Sequence, residues 1–278
     1  VSGFKKPTGE VKRRIIFNGH HDAAWEWPFK YKFTYLGFDI HMMLCFVGAF
    51  YTLGIAIASL AGAFDANPDL GTRLGLGGLA FTPFWFGLYF MWNKKRVVDG
   101  ANDNLSGCLG CMSVLKHLAE ADVRFENTEV RVILTGSEEA GLRGAKAYAK
   151  AHEKELKEIE TVVVACDTMR DLKDMAVYDR DLSGTLKHDK QVKELVKKAA
   201  LNCGYDIPYA SIYLGACDAA AFTQRGIKAT GFAAMDPTPP RYYHTRLDTP
   251  DMLVPEALEV GAKVLLETAC LYDEEGLN

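Results

Sequence analysis

The chain has 278 residues, 49% of them hydrophobic, and a formal net charge of −4. That length gives one large domain with room for a sizeable core. The mild acidity, and the lack of any basic cluster interleaved with aromatics, argue against a nucleic-acid partner.

Seven cysteines are dispersed, and an odd number of them in core elements indicates reduced thiols. Cys108-x-x-Cys111 lies within a helical stretch without a second pair, which favours a core role over zinc or redox chemistry. No secretory leader opens the chain, and a start at Val1 rather than Met reads as a missing natural beginning.

Residues 1–10 read as a loose arm. Val11 to Asn18 reads as a strand and ends in Gly19-His20-His21-Asp22. In His-x-Asp at a strand end, the first and third side chains share a face, so a carboxylate can orient an imidazole.

Two uncharged runs follow, Met42 to Phe64 and Leu74 to Trp92, separated by the polar stretch Asp65–Arg73. Each is long enough to cross a hydrocarbon core of about 30 Å as a helix. Lys30 and Lys32 flank one end, and Lys94, Lys95 and Arg96 flank the other. Trp25, Trp27, Tyr31, Tyr35 and Trp92 form an interfacial belt. The positive charges place both ends on the cytoplasmic side. The expectation is membrane association through 37–92 with a cytoplasmic catalytic domain. A soluble hairpin that packs on the domain or mediates dimerisation is the alternative, and the oligomeric state is left open.

The polar loop Asp99–Gly107 precedes an amphipathic helix from about Leu105 to Ala121. The alternating run Val130–Leu134 is a buried strand. It enters Gly136-Ser137-Glu138-Glu139-Ala140-Gly141 and then the helix Ala145–Lys150. Adjacent carboxylates repel unless one binds a cation and the other takes a proton. Thr161–Asp167 is a strong strand ending in a carboxylate. Residues 170–185 read as loop or edge strand, and Lys187–Asn202 as helix. Ile207–Leu214 and Ile227–Phe232 read as strands on either side of a helix started by Gly215–Asp218. Pro237–Pro240 reads as a turn, and Val254–Leu271 as the last helix. Repeated strand-then-helix units indicate an α/β domain with a largely parallel sheet.

Strand ends thus carry His20 with Asp22, Asp103, Glu138-Glu139, Asp167 and His244. The carboxyl ends of parallel strands converge on one edge. Two imidazoles and three carboxylates, one shared, would hold two zinc ions with open positions for water. Glu138 is left over to take a proton.

Gly19–Asp22, Gly100–Gly107, Gly136–Gly144, Asp167 and Tyr243–Thr249 resemble, in order, the motifs of the two-zinc exopeptidases. That family includes bacterial secreted aminopeptidases and glutamate carboxypeptidase, with glutaminyl cyclases as relatives. The resemblance covers 11–26 and 97–271. It implies a three-layer α/β/α sandwich with a mostly parallel mixed sheet. Residues 1–27 and 97–278 would form the catalytic domain, and 28–96 an inserted two-helix hydrophobic hairpin.

The resemblance assigns His20, Asp103 and Asp167 to one zinc and Asp103, Glu139 and His244 to the other, with Asp103 bridging. Cobalt or manganese are the alternative metals. Glu138 would be general base and then acid. Asp22 would orient His20, Tyr243 would donate to the oxyanion, and a cis peptide would join Asp103 to Asn104. The implied activity is hydrolysis of a peptide substrate by a metal-dependent exopeptidase, an aminopeptidase by frequency within the family. A glutaminyl-cyclase-like acyl transferase, which uses one zinc and no counterpart of His20, is the enzymatic alternative. A non-catalytic receptor or scaffold is the other. This chain departs from the family in carrying Cys217-Asp218-Ala219 where Ser-Asp-His is usual. It also carries the long insertion, and it lacks further elements before the first motif.

Overall fold

The computed structural model describes residues 1–238 and 240–277. Pro239 of the expected turn and the Tyr35 side chain of the expected belt lie outside the described residues. The strands are β1 Ser2–Lys5, β2 Arg13–His20, β3 Trp25–Glu26, β4 Asn93–Val97, β5 Thr128–Thr135, β6 Glu160–Met169, β7 Met175–Asp181, β8 Leu186–Lys187, β9 Tyr209–Ser211 and β10 Lys228–Ala234. The helices are α1 Pro28–Leu60, α2 Pro68–Gly77, α3 Thr82–Leu88, α4 Gly107–Glu120, α5 Arg143–Ala151, α6 Glu153–Glu158, α7 Lys190–Asn202, α8 Ala219–Thr223 and α9 Pro255–Glu275.

The chain divides into two compact units. One comprises Val1–Ala24, Asp99–Pro237 and Asp248–Asn278; the other comprises Trp25–Val98 and Thr238–Leu247. The first unit holds an eight-stranded mixed sheet in the order β1-β5-β2-β6-β10-β7-β8, with β9 beside β7. Its centre, β5-β2-β6-β10, is parallel.

Both faces of this sheet are covered, which explains why β2 and β6 carry unbroken apolar runs instead of alternating ones. Ile15, Phe17, Val162, Val164 and Phe232 pack beneath α4, α7 and α9. Ile16, Val163, Ala165 and Ala229 pack beneath α5, α6 and α8. The fold is therefore a three-layer α/β/α sandwich. Phe17 is fully buried, and burial of a side chain of that size contributes about 1.5–3 kcal/mol.

The arm expected at residues 1–10 is partly a strand. Residues 2–5 pair antiparallel with 130–133, closing the sheet edge beside β5. The stretch 170–185, read as loop or edge, contains β7, which lies inside the sheet between β10 and β8. Four charged groups tie together the amino-terminal ends of β2 and β5. Glu129 accepts from Arg14 Nε at 2.6 Å and Arg131 Nη2 at 2.8 Å, and Arg131 Nη2 also reaches Glu155 at 2.6 Å.

In the second unit β3 and β4 pair antiparallel at the base of the helices. Within α1, residues Leu36–Leu60 form a helix long and apolar enough to cross a membrane, the one such helix among the described residues. At 1.5 Å per residue its 25 residues extend about 38 Å, against about 30 Å of hydrocarbon. Its surface is largely exposed, with Phe50 at 72% and Leu60 at 90%.

The second apolar run is not a single helix. It passes from α2 through a 3-10 turn at Gly78–Phe81 into α3. Gly75, Gly77 and Gly78 weaken helix continuity, and Pro83 removes an amide donor. Lys30 also departs from its expected place at an interface. It is fully buried, with Nζ 4.5 Å from the Tyr243 ring centre and 5.7 Å from that of Trp27.

Candidate metal centre

The order β5-β2-β6 decides which side chains meet. The chain leaves β2, returns through α4 on one face to β5, then crosses by α5 and α6 on the other face to β6. The carboxyl end of β2 is therefore a point where the winding direction reverses, the place where open α/β sheets bind ligands. His20 ends β2 opposite Thr135, the last residue of β5, while Asp167 lies near the end of β6.

His20 Nε2 lies 3.2 Å from Asp103 Oδ1, 3.9 Å from Asp167 Oδ1 and 3.9 Å from Glu138 Oε2. Donor atoms of His20, Asp103 and Asp167 all fall within 4.8 Å of one another. One imidazole and two carboxylates match the donor set of zinc, and so much negative charge in a largely buried site needs a cation. The residues present therefore fit a metal ion. Burial lowers the His20 pKa, but hydrogen bonds to Asp103, Asp167 and Asp22 hold it well above the ordinary value. Burial pushes the Glu138 carboxyl well above the ordinary range; His20 opposes this, and Asp167, Asp218 and Glu139 reinforce it.

Asp103 is placed by an unusual loop. Gly100 has φ +66°, and a Cβ there would come within 2.8 Å of the Asp103 carbonyl oxygen. The Asp103–Asn104 peptide is cis. Asn104 clamps the end of β6: its Nδ2 donates to the Cys166 carbonyl at 2.8 Å, and its Oδ1 accepts from the amides of Gly107 and Thr168.

Asp22 meets His20 with both its backbone and its side chain. The Asp22 carbonyl oxygen lies 3.2 Å from His20 Nδ1, whereas the nearer carboxylate oxygen is at 3.7 Å. The carboxylate also accepts from the amides of Glu138 at 3.0 Å and Glu139 at 3.3 Å. It thus ties the β2 end to the turn that carries the acid pair. In that turn the Glu138 carbonyl accepts from Gly141 and Leu142, both at 2.8 Å.

Two further acids surround the loop without having been singled out from the sequence. Asp248 is fully buried; its Oδ1 accepts from Asn102 N and Nδ2, both at 2.8 Å, and its Oδ2 accepts from Asp103 N at 3.1 Å. The signal was present, since Asp248 closes the motif Tyr243–Thr249, but its distance from Asp103 in sequence hid the partner. Asp218 bonds Thr135 Oγ1 behind His20, and burial pushes its carboxyl up to about 6. Asp248→Ala should weaken zinc binding by about 10–100-fold, the usual effect of removing a group that orients a ligand. Zinc titration of the metal-free protein checks this, and unchanged affinity would remove Asp248 from that role.

Another trio, Asp181, His188 and Cys217, also has metal-ligating groups close together. There the Asp181 carboxylate is already satisfied. It accepts from Leu182 N, Cys217 N, Cys217 Sγ and His188 Nε2. That arrangement stitches β7 to the start of α8.

His244 and Tyr243 belong to the second unit, on the segment Thr238–Leu247. The Trp27 amide donates to the His244 carbonyl at 2.8 Å, and the Trp27 ring meets the imidazole edge-on at 4.4 Å. Tyr243 stacks on His244 with ring centres 3.9 Å apart. His244 has φ +57°, the left-handed region, within this aromatic packing.

The sequence matches Peptidase family M28 over residues 89–269. No curated protein matches it. Among solved structures, the fold is similar to an aminopeptidase from Aneurinibacillus sp. strain AM-1. The TM-score is 0.60 and the identity 20%, over 98% of this chain and 47% of that one. A zinc aminopeptidase from Bacillus subtilis gives 0.59 and 22%, over 98% and 49%. An Acidobacteriales bacterium glutaminyl cyclase gives 0.60 and 16%, over 99% and 73%. The chain thus spans about half the length of these two aminopeptidases.

Proposed function

Because the chain belongs to Peptidase family M28, we propose that it is a metal-dependent exopeptidase, specifically an aminopeptidase. The observation that carries this reading is His20, Asp103 and Asp167 gathered around one point, with Glu138 Oε2 3.9 Å from the imidazole nitrogen. His20, Asp103 and Asp167 would hold one ion. By the family resemblance, Asp103, Glu139 and His244 would hold a second. Zinc is the metal of the similar Bacillus subtilis enzyme. Bound there, the ions would supply Lewis acidity and lower the pKa of water.

The chain's own residues do the rest. Glu138 accepts the proton of the attacking water and passes it to the departing amine. Its buried carboxylate, with Oε2 3.9 Å from His20 Nε2, is placed for both halves of that transfer. Asp22 fixes the Glu138 backbone, and Asp248 fixes that of Asp103, so base and ligand keep their relative placement. Tyr243 is proposed as the donor to the developing oxyanion.

The test is metal analysis combined with a panel of aminoacyl and N-blocked peptides. Release of free N-terminal residues with two equivalents of zinc is expected, and blocked peptides should resist. The similarity to a glutaminyl cyclase supports a second reading, acyl transfer at a single ion. Cyclisation of N-terminal glutamine peptides without hydrolysis would select it.

We also propose that Leu36–Leu60, with the broken second apolar run as the returning leg, anchors the chain in a membrane, so that both parts of the catalytic unit stay on the cytoplasmic side. Its length and its exposed apolar surface support this. Flotation of the full chain with phosphatidylcholine vesicles tests it; a chain that stays in the soluble fraction overturns it.

A further inference from the structure

The second unit contains a cavity of about 730 Å³ lined by residues of 28–33 and 89–95. That is the size of a small-molecule site. Its walls are of two kinds. Phe29, Phe33, Tyr89, Phe90 and Trp92 are aromatic, while Lys32, Lys94 and Lys95 are cationic. Phe29, Lys32 and Phe33 are spaced i, i+3, i+4 and so share one face of the first turns of α1. Thr34, at φ +64°, breaks the helix immediately afterwards, and the apolar span begins at Leu36. The cavity therefore sits at the foot of the membrane-length helix.

Three features point to one kind of ligand. The lysines are exposed, and among the described residues no acidic side chain lines the cavity with them. Its aromatic walls are exposed too, Phe33 at 58% and Tyr89 at 75%, which is unfavourable in water. Beyond Thr34 an uncovered apolar stripe runs on up the helix at three- and four-residue spacing: Leu36, Ile40, Met43, Val47 and Phe50. A soluble anion would meet the lysines but leave the aromatics and the stripe bare. An acidic peptide would meet the lysines from the water, whereas the stripe lies within the proposed membrane span. An amphiphile with an anionic head and long apolar tails satisfies all three.

We propose that this cavity binds one anionic phospholipid, its phosphate between Lys32, Lys94 and Lys95 and its acyl chains along the α1 stripe. The inference rests on the membrane reading of Leu36–Leu60. It also separates the lysines by role: Lys30, buried against Trp27 and Tyr243, belongs to the packing of the unit and not to lipid binding.

The experiment places the full chain in nanodiscs of mixed phosphatidylcholine and phosphatidylglycerol and weighs the released protein by native mass spectrometry. Bound lipid should be enriched in phosphatidylglycerol by about tenfold over the disc composition, given what a few lysines contribute at an anionic surface. The triple variant Lys32→Gln/Lys94→Gln/Lys95→Gln should bind lipid at the disc ratio. Because these side chains are exposed and outside the metal centre, its peptide hydrolysis should match the wild type. Wild-type protein at the bulk ratio, or full enrichment in the triple variant, overturns the proposal while incorporation leaves the membrane reading standing. A chain that does not enter the discs removes that reading, and the proposal with it. Glycerol 3-phosphate shares the head-group chemistry but has no tails, so it should not displace the lipid; displacement would identify a site for soluble organophosphates and overturn the lipid assignment.

Discussion

Glu138→Gln is expected to retain bound metal and lose peptide hydrolysis by about 10²–10⁴-fold, the usual contribution of a positioned acid–base group. Three observations set this expectation. Glu138 is not among the His20, Asp103 and Asp167 trio, so its removal leaves those donors intact. Its side chain is almost fully buried, and burial with Asp167, Asp218 and Glu139 nearby raises its affinity for protons against the pull of His20. Its backbone is held by the Asp22 carboxylate, a bond to the amide that the amide side chain of Gln does not disturb. Gln keeps the shape and hydrogen-bonding reach of Glu but cannot accept and return a proton. Metal content measured on the same preparation separates loss of a base from loss of a ligand. Full turnover in a metal-loaded Glu138→Gln protein would remove Glu138 as the base; loss of metal would make it a ligand instead.

Much of this was legible in the sequence because the relevant signals are local. Ile15–Phe17 and Val162–Cys166 are uninterrupted apolar runs, which only a strand buried on both faces requires, and both are central strands. Polar residues at strand ends marked His20, Glu138 and Asp167, and topology brought them together. What escaped was non-local. Ser2–Lys5 carries no strong apolar pattern, and it becomes a strand only because β5 offers a free edge. The partnership of Asp248 with the amides of Asn102 and Asp103 joins residues 145 and 146 positions apart. No periodicity announces such a bond. The second apolar run looked like a spanning helix because hydropathy does not register the glycine-rich break at Gly75–Gly78. Lys30 looked like an interfacial charge because its aromatic neighbour Tyr243 lies far along the chain.

Asp103→Asn should have a larger effect on metal content than any other single substitution at this site. If Asp103 bridges two ions, loss of its charge weakens both. His20→Ala, by contrast, removes a donor from one ion only. The comparison therefore reads out the number of ions. With two ions, Asp103→Asn loses both equivalents at zinc concentrations where His20→Ala still keeps one; with a single ion, both variants lose the same equivalent. Melting curves give an independent reading. A ligand that binds only the folded state at about 100 times its dissociation constant stabilises by about 2.7 kcal/mol. For a chain of this size that is a rise of about 5–10 °C in Tm. Wild-type protein should show this rise on adding zinc, and Asp103→Asn should show almost none. The Asp248 bonds to the backbones of Asn102 and Asp103 do not involve the altered side chain, so the loop keeps them. The metal-free variant should therefore melt close to the metal-free wild type. A metal-free Asp103→Asn protein that unfolds far below the wild type would show that the carboxylate supports the fold as well as the metal. A zinc response equal to the wild type would remove Asp103 from the ligand set.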